Sequence, residues 1–292
     1  MRADWDQRAR ENAYHYIASG HEEWSEEDFN ESGRDSVHGM VVKDLDAIAG
    51  DRDPKTMTVL EIGCGAGRMT RHLADVFGEV HGVDVSGEMI AKARERLAGL
   101  DNVHLHHTNG VDLSALGETQ IDFAMSFVVF QHIPDIEVIR GYVKQVAERL
   151  KPGALFKFQA QGSPLVEAMV RDTWTGARFS ALDAVRAART HKLRIEKYEG
   201  VGEQYFWLAM RKTPDRTPDP EPIETELLEA ETEALDQALK KLGKDMLDLR
   251  WWSENKVEEL RSHIRDLYGS WAYRLGRRAG AAPEPIQERE PY

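Results

Sequence analysis

The sequence predicts an α/β fold, a mostly parallel sheet with helices on both faces, and three observations carry that expectation. Strand-like runs TVLEIG (58–63), EVHGVD (79–84), NVHLHH (102–107), IDFAMSF (121–127) and ALFKFQA (154–160) alternate with helical patterns, the signature of βαβ units. The first run leads straight into Gly63-Cys64-Gly65-Ala66-Gly67, three glycines at alternate positions. The second run ends on an acid, Asp84, 17 residues beyond Gly67.

The helical patterns GRMTRHLADVF, GEMIAKARERLAGL and IEVIRGYVKQVAERL follow the first, second and fourth strands. SALDAVRAART reads as a further helix with Ser180 as its N-cap. KLRIEKYEG and EQYFWLAMRK, separated by Val-Gly, then read as an antiparallel hairpin at the sheet edge. TPDRTPDPEP (213–222) holds four prolines in ten residues, a linker composition, because proline fixes φ and removes a donor. Beyond it, apolar residues recur in steps of three and four at Leu235, Leu239, Leu242, Met246 and Leu249, then at Val257, Leu260, Ile264, Leu267 and Trp271. That spacing is a heptad seam, and a coiled-coil arm over 223–276 joining copies of the chain into a homo-oligomer is the expectation. A helical hairpin packed on its own domain is the alternative. Residues 277–292 read as a loose tail.

With 292 residues there is room for one generous domain and an appendage. The formal charge of −13 argues against general nucleic-acid binding, which wants a basic face. No apolar run is long enough for a spanning helix, the first residues lack the apolar stretch of a secretory leader, and one cysteine forms no internal disulfide, so a cytoplasmic location is expected.

Glycines in the 63–67 turn let the chain reverse sharply and let a ligand come closer than a Cβ would permit. The alternative is a strand-to-helix turn with no ligand. The spacing is G-x-G-x-G rather than the dinucleotide G-x-G-x-x-G, and no Walker lysine follows. Asp84 at a strand tip suits the two hydroxyls of a ribose, which speaks for a nucleoside without saying which.

Leu60-Glu61-Ile62-Gly63-Cys64-Gly65-Ala66-Gly67-Arg68, GVDVSGEMIAKAR, NGVDL, IDFAMSFVVFQHIPD and ERLKPGALFKF occur in that order, and the chain here resembles the class I S-adenosylmethionine-dependent methyltransferases. The resemblance covers roughly residues 36–212. It implies a Rossmann-like, seven-stranded, mostly parallel sheet over 51–212 with an antiparallel terminal hairpin, and an N-terminal helical lid over 1–50. It implies S-adenosyl-L-methionine as cofactor and Glu61, Gly63, Cys64, Gly65 and Gly67 around its methionine part. Asp84, Val85 and Met89 then fall by the adenosine, and Asn109, Gly110, Val111 and Phe127 complete the set. Asn109 stands where many members carry an acid that accepts from the adenine amino group.

The reaction implied is methyl transfer to an oxygen or nitrogen of a small-molecule acceptor. His132, in FQHIP, matches a histidine common at this place and is the candidate general base; holding the loop is its bland alternative. Gln131, Gln159 and Gln161 near strand ends, and Tyr14 and Tyr16 in the leading helix, are candidate acceptor contacts. Cys64 has a plain reading as a small buried filler. His104, His106 and His107 lack a nearby cysteine or carboxylate spacing and read as surface or core imidazoles, so no metal is expected. LYGSWAYRLGRR mixes aromatics with arginines, as membrane-surface segments do, and is similar to a short element of some cell-surface polysaccharide enzymes. Peripheral membrane contact and a sugar or glycolipid acceptor follow as expectations. The rival functions are a dinucleotide-dependent oxidoreductase and a catalytically weak scaffold recruiting partners through the arm.

Overall fold

The structure is a computed structural model and describes residues 1–18, 23–168, 172–214 and 221–251. Two helices lead, α1 (Arg2–Ile17), broken at Asn12 by extended backbone, and α2 (Glu26–Met40), capped by Ser25 accepting from Asp28 N–H. A short α3 (Leu45–Ala49) precedes β1 (Thr58–Ile62). Then come α4 (Thr70–Val76), β2 (Glu79–Asp84), α5 (Gly87–Arg96), β3 (Val103–His107) and β4 (Ile121–Ser126). The chain continues through α6 (Ile136–Arg149), β5 (Leu150–Ala160), α7 (Ala181–Thr190), β6 (Leu193–Glu199), β7 (Phe206–Lys212) and α8 (Pro222–Trp251).

The seven strands lie in the order β3-β2-β1-β4-β5-β7-β6. All pairs up to β5 are parallel, and β7 runs antiparallel between β5 and β6, as the two edge runs predict. The order reverses between β1 and β4, so their C-terminal ends open a crevice for a ligand. Each face of the sheet carries a core. Phe130, Val143, Phe156 and Phe158 centre one, and Leu73, Phe77, Val80 and Phe123 the other.

Three boundaries differ from the sequence reading. Helix α4 opens at Thr70 rather than at the glycines, because Gly67 has a φ of 79°, outside the right-handed helical region. The first 50 residues are not all lid. Val37, Val41, Ile48 and Ala49 are buried against Val59 and Phe123, so α3 and the end of α2 belong to the sheet domain. The arm does not swing free either. Leu227 is fully buried on the sheet core, Glu224 pairs with Arg189, and Glu231 pairs with Arg178 while accepting from Ala181 N–H at the start of α7. Most of the proline-rich segment and the seam beyond Trp251 lie outside the described residues. Among the described residues no helix is long and apolar enough to cross a membrane.

Leu227→Ala removes a fully buried side chain, so it should cost about 2–5 kcal/mol in urea unfolding of the intact protein. An arm held only by the linker would show no such loss.

Candidate active site

The site is built where β1 ends. Val59–Ile62 are buried, Glu61 among apolar neighbours, and the chain must then turn within a few residues to return as α4. Gly63 takes a φ of 75°, and a Cβ there would stand 2.1 Å from Val129 Cγ2, so no other residue fits. Gly63 N–H and Cys64 N–H both donate to Val83 O, at 2.8 and 3.1 Å, which pins the turn to the tip of β2.

Asp84 follows directly. Its Oδ2 accepts from Gly65 N–H at 2.9 Å and its Oδ1 from Ser86 N–H at 2.8 Å. Burial pushes this carboxyl's pKa up, and those N–H groups oppose the shift. Each oxygen keeps a lone pair for a hydroxyl donor. Glu61 is buried beneath the same turn and accepts from Thr70 Oγ1 at 2.6 Å. Burial pushes its pKa to about 7, against the pull of Thr70 and Arg68. The Arg68 guanidinium is tied to Ser32 O and Ser36 Oγ, both at 2.9 Å, while its Nε is buried with no hydrogen-bond partner.

One cleft collects these groups. It holds about 910 Å³ of atom-free space, part of it open to solvent. Glu61, Gly63, Cys64 and Gly65 line it, as do Asp84, Val85, Met89 and Phe127, all expected around the cofactor. Four expected positions do not. A Cβ on Gly67 would meet Leu97 of the α5 region at 2.7 Å, so this glycine serves helix packing. Asn109 uses its amide oxygen to accept from Val111 and Asp112 N–H, at 2.9 and 3.0 Å, and closes its own loop instead of meeting an adenine. Gly110 packs under Val85 and Met1, and Val111 is half exposed.

On the acceptor side His132 and Tyr16 line the cleft. Tyr14 stacks on Phe29 and bonds Glu26, away from it. The three glutamines are buried structural groups rather than pocket walls. Gln159, fully buried, accepts from Val128 N–H at 3.1 Å and donates to Gln131 Oε1 at 2.7 Å. Gln131 Nε2 in turn donates to His132 Nε2 at 3.1 Å. Gln161 accepts from Ser163 N–H. His132 Nδ1 lies 3.0 Å from Trp174 O, and a carbonyl only accepts, so Nδ1 carries the proton and Nε2 receives Gln131. Burial holds the imidazole's pKa at about 4. Val128, a β-branched residue at a φ of 56°, is strained, a cost of order 1–3 kcal/mol that Gln159 helps to hold.

Trp5, an aromatic of the leading helix like Tyr16, also lines the cleft, whereas sequence reasoning missed Arg68, Thr108 and Tyr142. Arg68 had a signal, since it directly follows the last glycine of the turn. Thr108 and Tyr142 had none, for only the fold brings α6 under the end of β3.

S-adenosylmethionine fits this donor set. Asp84 has lone pairs for the ribose diol, Glu61 a carboxylate for the amino group, and the orphaned Arg68 Nε a donor for the carboxylate of its methionine part. Val85 and Met89 supply apolar contact for the base.

Asp84→Ala should weaken S-adenosylhomocysteine binding at least tenfold by calorimetry, since hydrogen bonds to a charged acceptor contribute about 1.5–3 kcal/mol each. Unchanged titrations would remove Asp84 from the site. Glu61 adds a pH dependence. Binding that requires its carboxylate form should weaken about tenfold from pH 8 to pH 6, and Glu61→Gln should bind weakly and without that slope. The ligand-free protein should respond oppositely. A carboxyl whose pKa is raised by folding contributes stability below its unfolded value of 4.5, and that contribution is lost as pH rises through about 7. Glu61→Gln should therefore melt higher than the parent at pH 8 and similarly at pH 4.

Residues 59–153 match the methyltransferase-domain family. The dTDP-3-amino-3,6-dideoxy-alpha-D-glucopyranose N,N-dimethyltransferase of Streptomyces fradiae is 31% identical over 180 residues, 60% of this chain and 64% of the relative. The chain thus spans a little under two thirds of that relative's length. The dTDP-3-amino-3,4,6-trideoxy-alpha-D-glucopyranose N,N-dimethyltransferase of Streptomyces venezuelae is 26% identical over 163 residues, 56% of this chain and 66% of the relative. Among solved structures, magnesium protoporphyrin IX methyltransferase of Synechocystis PCC 6803 with bound SAH shares the fold, at a TM-score of 0.52 and 15% identity over 73% of this chain and 97% of that one. The buried acids toward the ends of β1 and β2, the glycine turn between them and these likenesses agree: residues 59–153 match a methyltransferase domain, the sheet has the fold of the S-adenosylmethionine-dependent methyltransferases, and S-adenosyl-L-methionine is the cofactor.

Proposed function

We propose that this protein methylates the nitrogen of an amino group on a small acceptor carrying an anionic arm, of the amino-sugar nucleotide kind. The bound cofactor supplies an electrophilic sulfonium methyl. The protein's part is to hold both reactants, exclude water and present no obstacle to the amine lone pair.

The state of His132 carries this reading. It is the titratable group on the acceptor side of the cleft that would take a proton from a hydroxyl, yet its pKa is held at about 4 and its free nitrogen already accepts from Gln131. A hydroxyl acceptor needs a base matched to neutral pH, whereas an amine offers its lone pair once water has taken its proton. Both named sugar relatives are N,N-dimethyltransferases, which supports nitrogen over oxygen.

Beside His132 stand three rings, Trp5, Tyr16 and Trp174, with the Arg8 guanidinium 4.6, 5.8 and 5.3 Å from their centroids. Arg8 donates to Thr173 O at 3.1 Å, which leaves further donors for a phosphate oxygen. The rings fix the fork in place and suit a sugar or base stacked against them.

For the arm, the reading is self-association beyond the docked part of α8. Leu235 and Leu239, one turn apart on the heptad seam, are 37% and 67% exposed. Leu239→Asp should lower the mass seen by light scattering without lowering the melting temperature; an unchanged mass would end this reading.

The catalytic reading is tested by incubating the protein with S-adenosylmethionine and dTDP-3-amino-3,6-dideoxy-α-D-glucopyranose, beside its 3-hydroxy counterpart. Methylation of the amine alone is expected, with Arg8→Ala raising KM about tenfold or more at little change in kcat. His132→Gln should change kcat less than tenfold; a loss of about 10²–10⁴ would make His132 the base. Methylation of the hydroxyl compound alone would overturn the nitrogen assignment.

A further inference from the structure

The parallel pairing of β2 with β3 assembles a constellation that neither strand shows by itself. Glu79 and His81 are two apart on β2, and His104 and His106 are two apart on β3, so each pair shares one face of the sheet. The register sets His81 beside His104 and Val83 beside His106. This supplies the carboxylate that the spacing of the three histidines in sequence lacked. One ligand atom each from Glu79, His81 and His104 lies within 4.8 Å of the others.

We propose that Glu79, His81 and His104 bind a divalent first-row transition cation of the zinc type, with His106 orienting His81 from behind. His81 Nδ1 lies 3.1 Å from His106 Nε2, a separation at which the two imidazoles share one proton. Donation from His81 to His106 leaves the other His81 nitrogen with its lone pair, the arrangement by which an outer partner fixes the tautomer of a metal-binding histidine. His81 is nine-tenths buried, so its ring is held in place between Glu79 and His104. Glu79 makes no ion pair with a lysine or arginine among the described residues, which leaves its carboxylate uncommitted. Two imidazoles with one carboxylate suit zinc and its neighbours, not magnesium or calcium, which take oxygen ligands.

Ligands about 2.0–2.1 Å from one ion stand roughly 3.3–3.5 Å apart, so the set must contract by an ångström or more. Glu79 and His104 are exposed and can make that movement toward His81. The site lies three residues before Asp84, outside the methyl-transfer cleft. An ion there would staple the outer strand β3 to β2, just before Thr108, which lines the cleft.

The test uses the full chain freed of metal by a chelator, titrated with cobalt(II) and followed by its visible absorption, then with zinc in competition. One equivalent should bind with micromolar or tighter affinity, and zinc should raise the melting temperature. Glu79→Gln with His104→Ala, both exposed and replaceable without unfolding the protein, should weaken cobalt binding at least tenfold while leaving S-adenosylhomocysteine affinity unchanged. Equal affinity and stoichiometry in the double variant would place the metal elsewhere and overturn the proposal, as would no binding at tens of micromolar cobalt.

Discussion

The cofactor half of the cleft depends on one constraint, that the 63–65 turn is fastened to the end of β2 before any ligand arrives. Val83 O takes two N–H groups of the turn and the Asp84 carboxylate takes a third, so β1 and β2 cannot shift without opening it. The fastening has an electrostatic consequence. Asp84 and Glu61 are held near one another away from water; burial raises the pKa of both, and the Asp84 charge raises that of Glu61 further. A ligand bringing hydroxyl donors and an ammonium relieves that tension. The free energy that folding gives up at these two acids is returned on binding, which is the usual trade of stability for function at a preorganised site.

The leading helix α1 completes the cleft by the same local economy. Ser86 caps α5 by accepting from Met89 N–H and also donates to Asp6 Oδ1 at 2.6 Å, so one hydroxyl joins the cofactor strand, the next helix and the lid. Ala9 and Ala13 sit against Ala66 and Met89, small residues that let α1 lie close over the glycine turn. Trp5, Arg8 and Tyr16 then project from a helix whose position is set by these contacts, and the acceptor wall inherits the precision of the cofactor site.

Much of this was legible in the sequence, and what was not has physical reasons. Strand order, hairpin and glycine turn are local or periodic signals, and Glu61 and Asp84 sit at strand tips that periodicity locates. Asn109 misled because a side-chain amide can serve its own backbone as well as a ligand, and only the loop geometry decides. Gln159 and Gln131 misled because a polar residue at a strand end is equally consistent with a pocket wall and a buried brace. The heptad spacing from Leu235 onward does not say what covers its stripe, and Leu227, outside that spacing, is the residue that docks α8 on the sheet core. Glu79 and His81 gained meaning only from the register of β2 against β3, which no spacing within one strand reveals.

The buried glutamine chain makes the floor of the acceptor end depend on every one of its members, in contrast to the rim. From Val128 N–H through Gln159, Gln131 and His132 to Trp174 O, each polar atom on the path has a partner, and in a buried setting removing one leaves the next unsatisfied. The same path holds Val128 in its strained conformation and presses Val129 against Gly63, so the acceptor floor and the cofactor turn share a side-chain contact. Trp5, Tyr16 and Trp174 carry no such obligation. They are partly exposed, and their contacts with Arg8 are stacking and charge, which adapt to different rings and different anions. The rim of α1 and the 172–174 turn is thus the part free to vary with the acceptor, while the braced floor keeps its geometry whichever acceptor the rim admits.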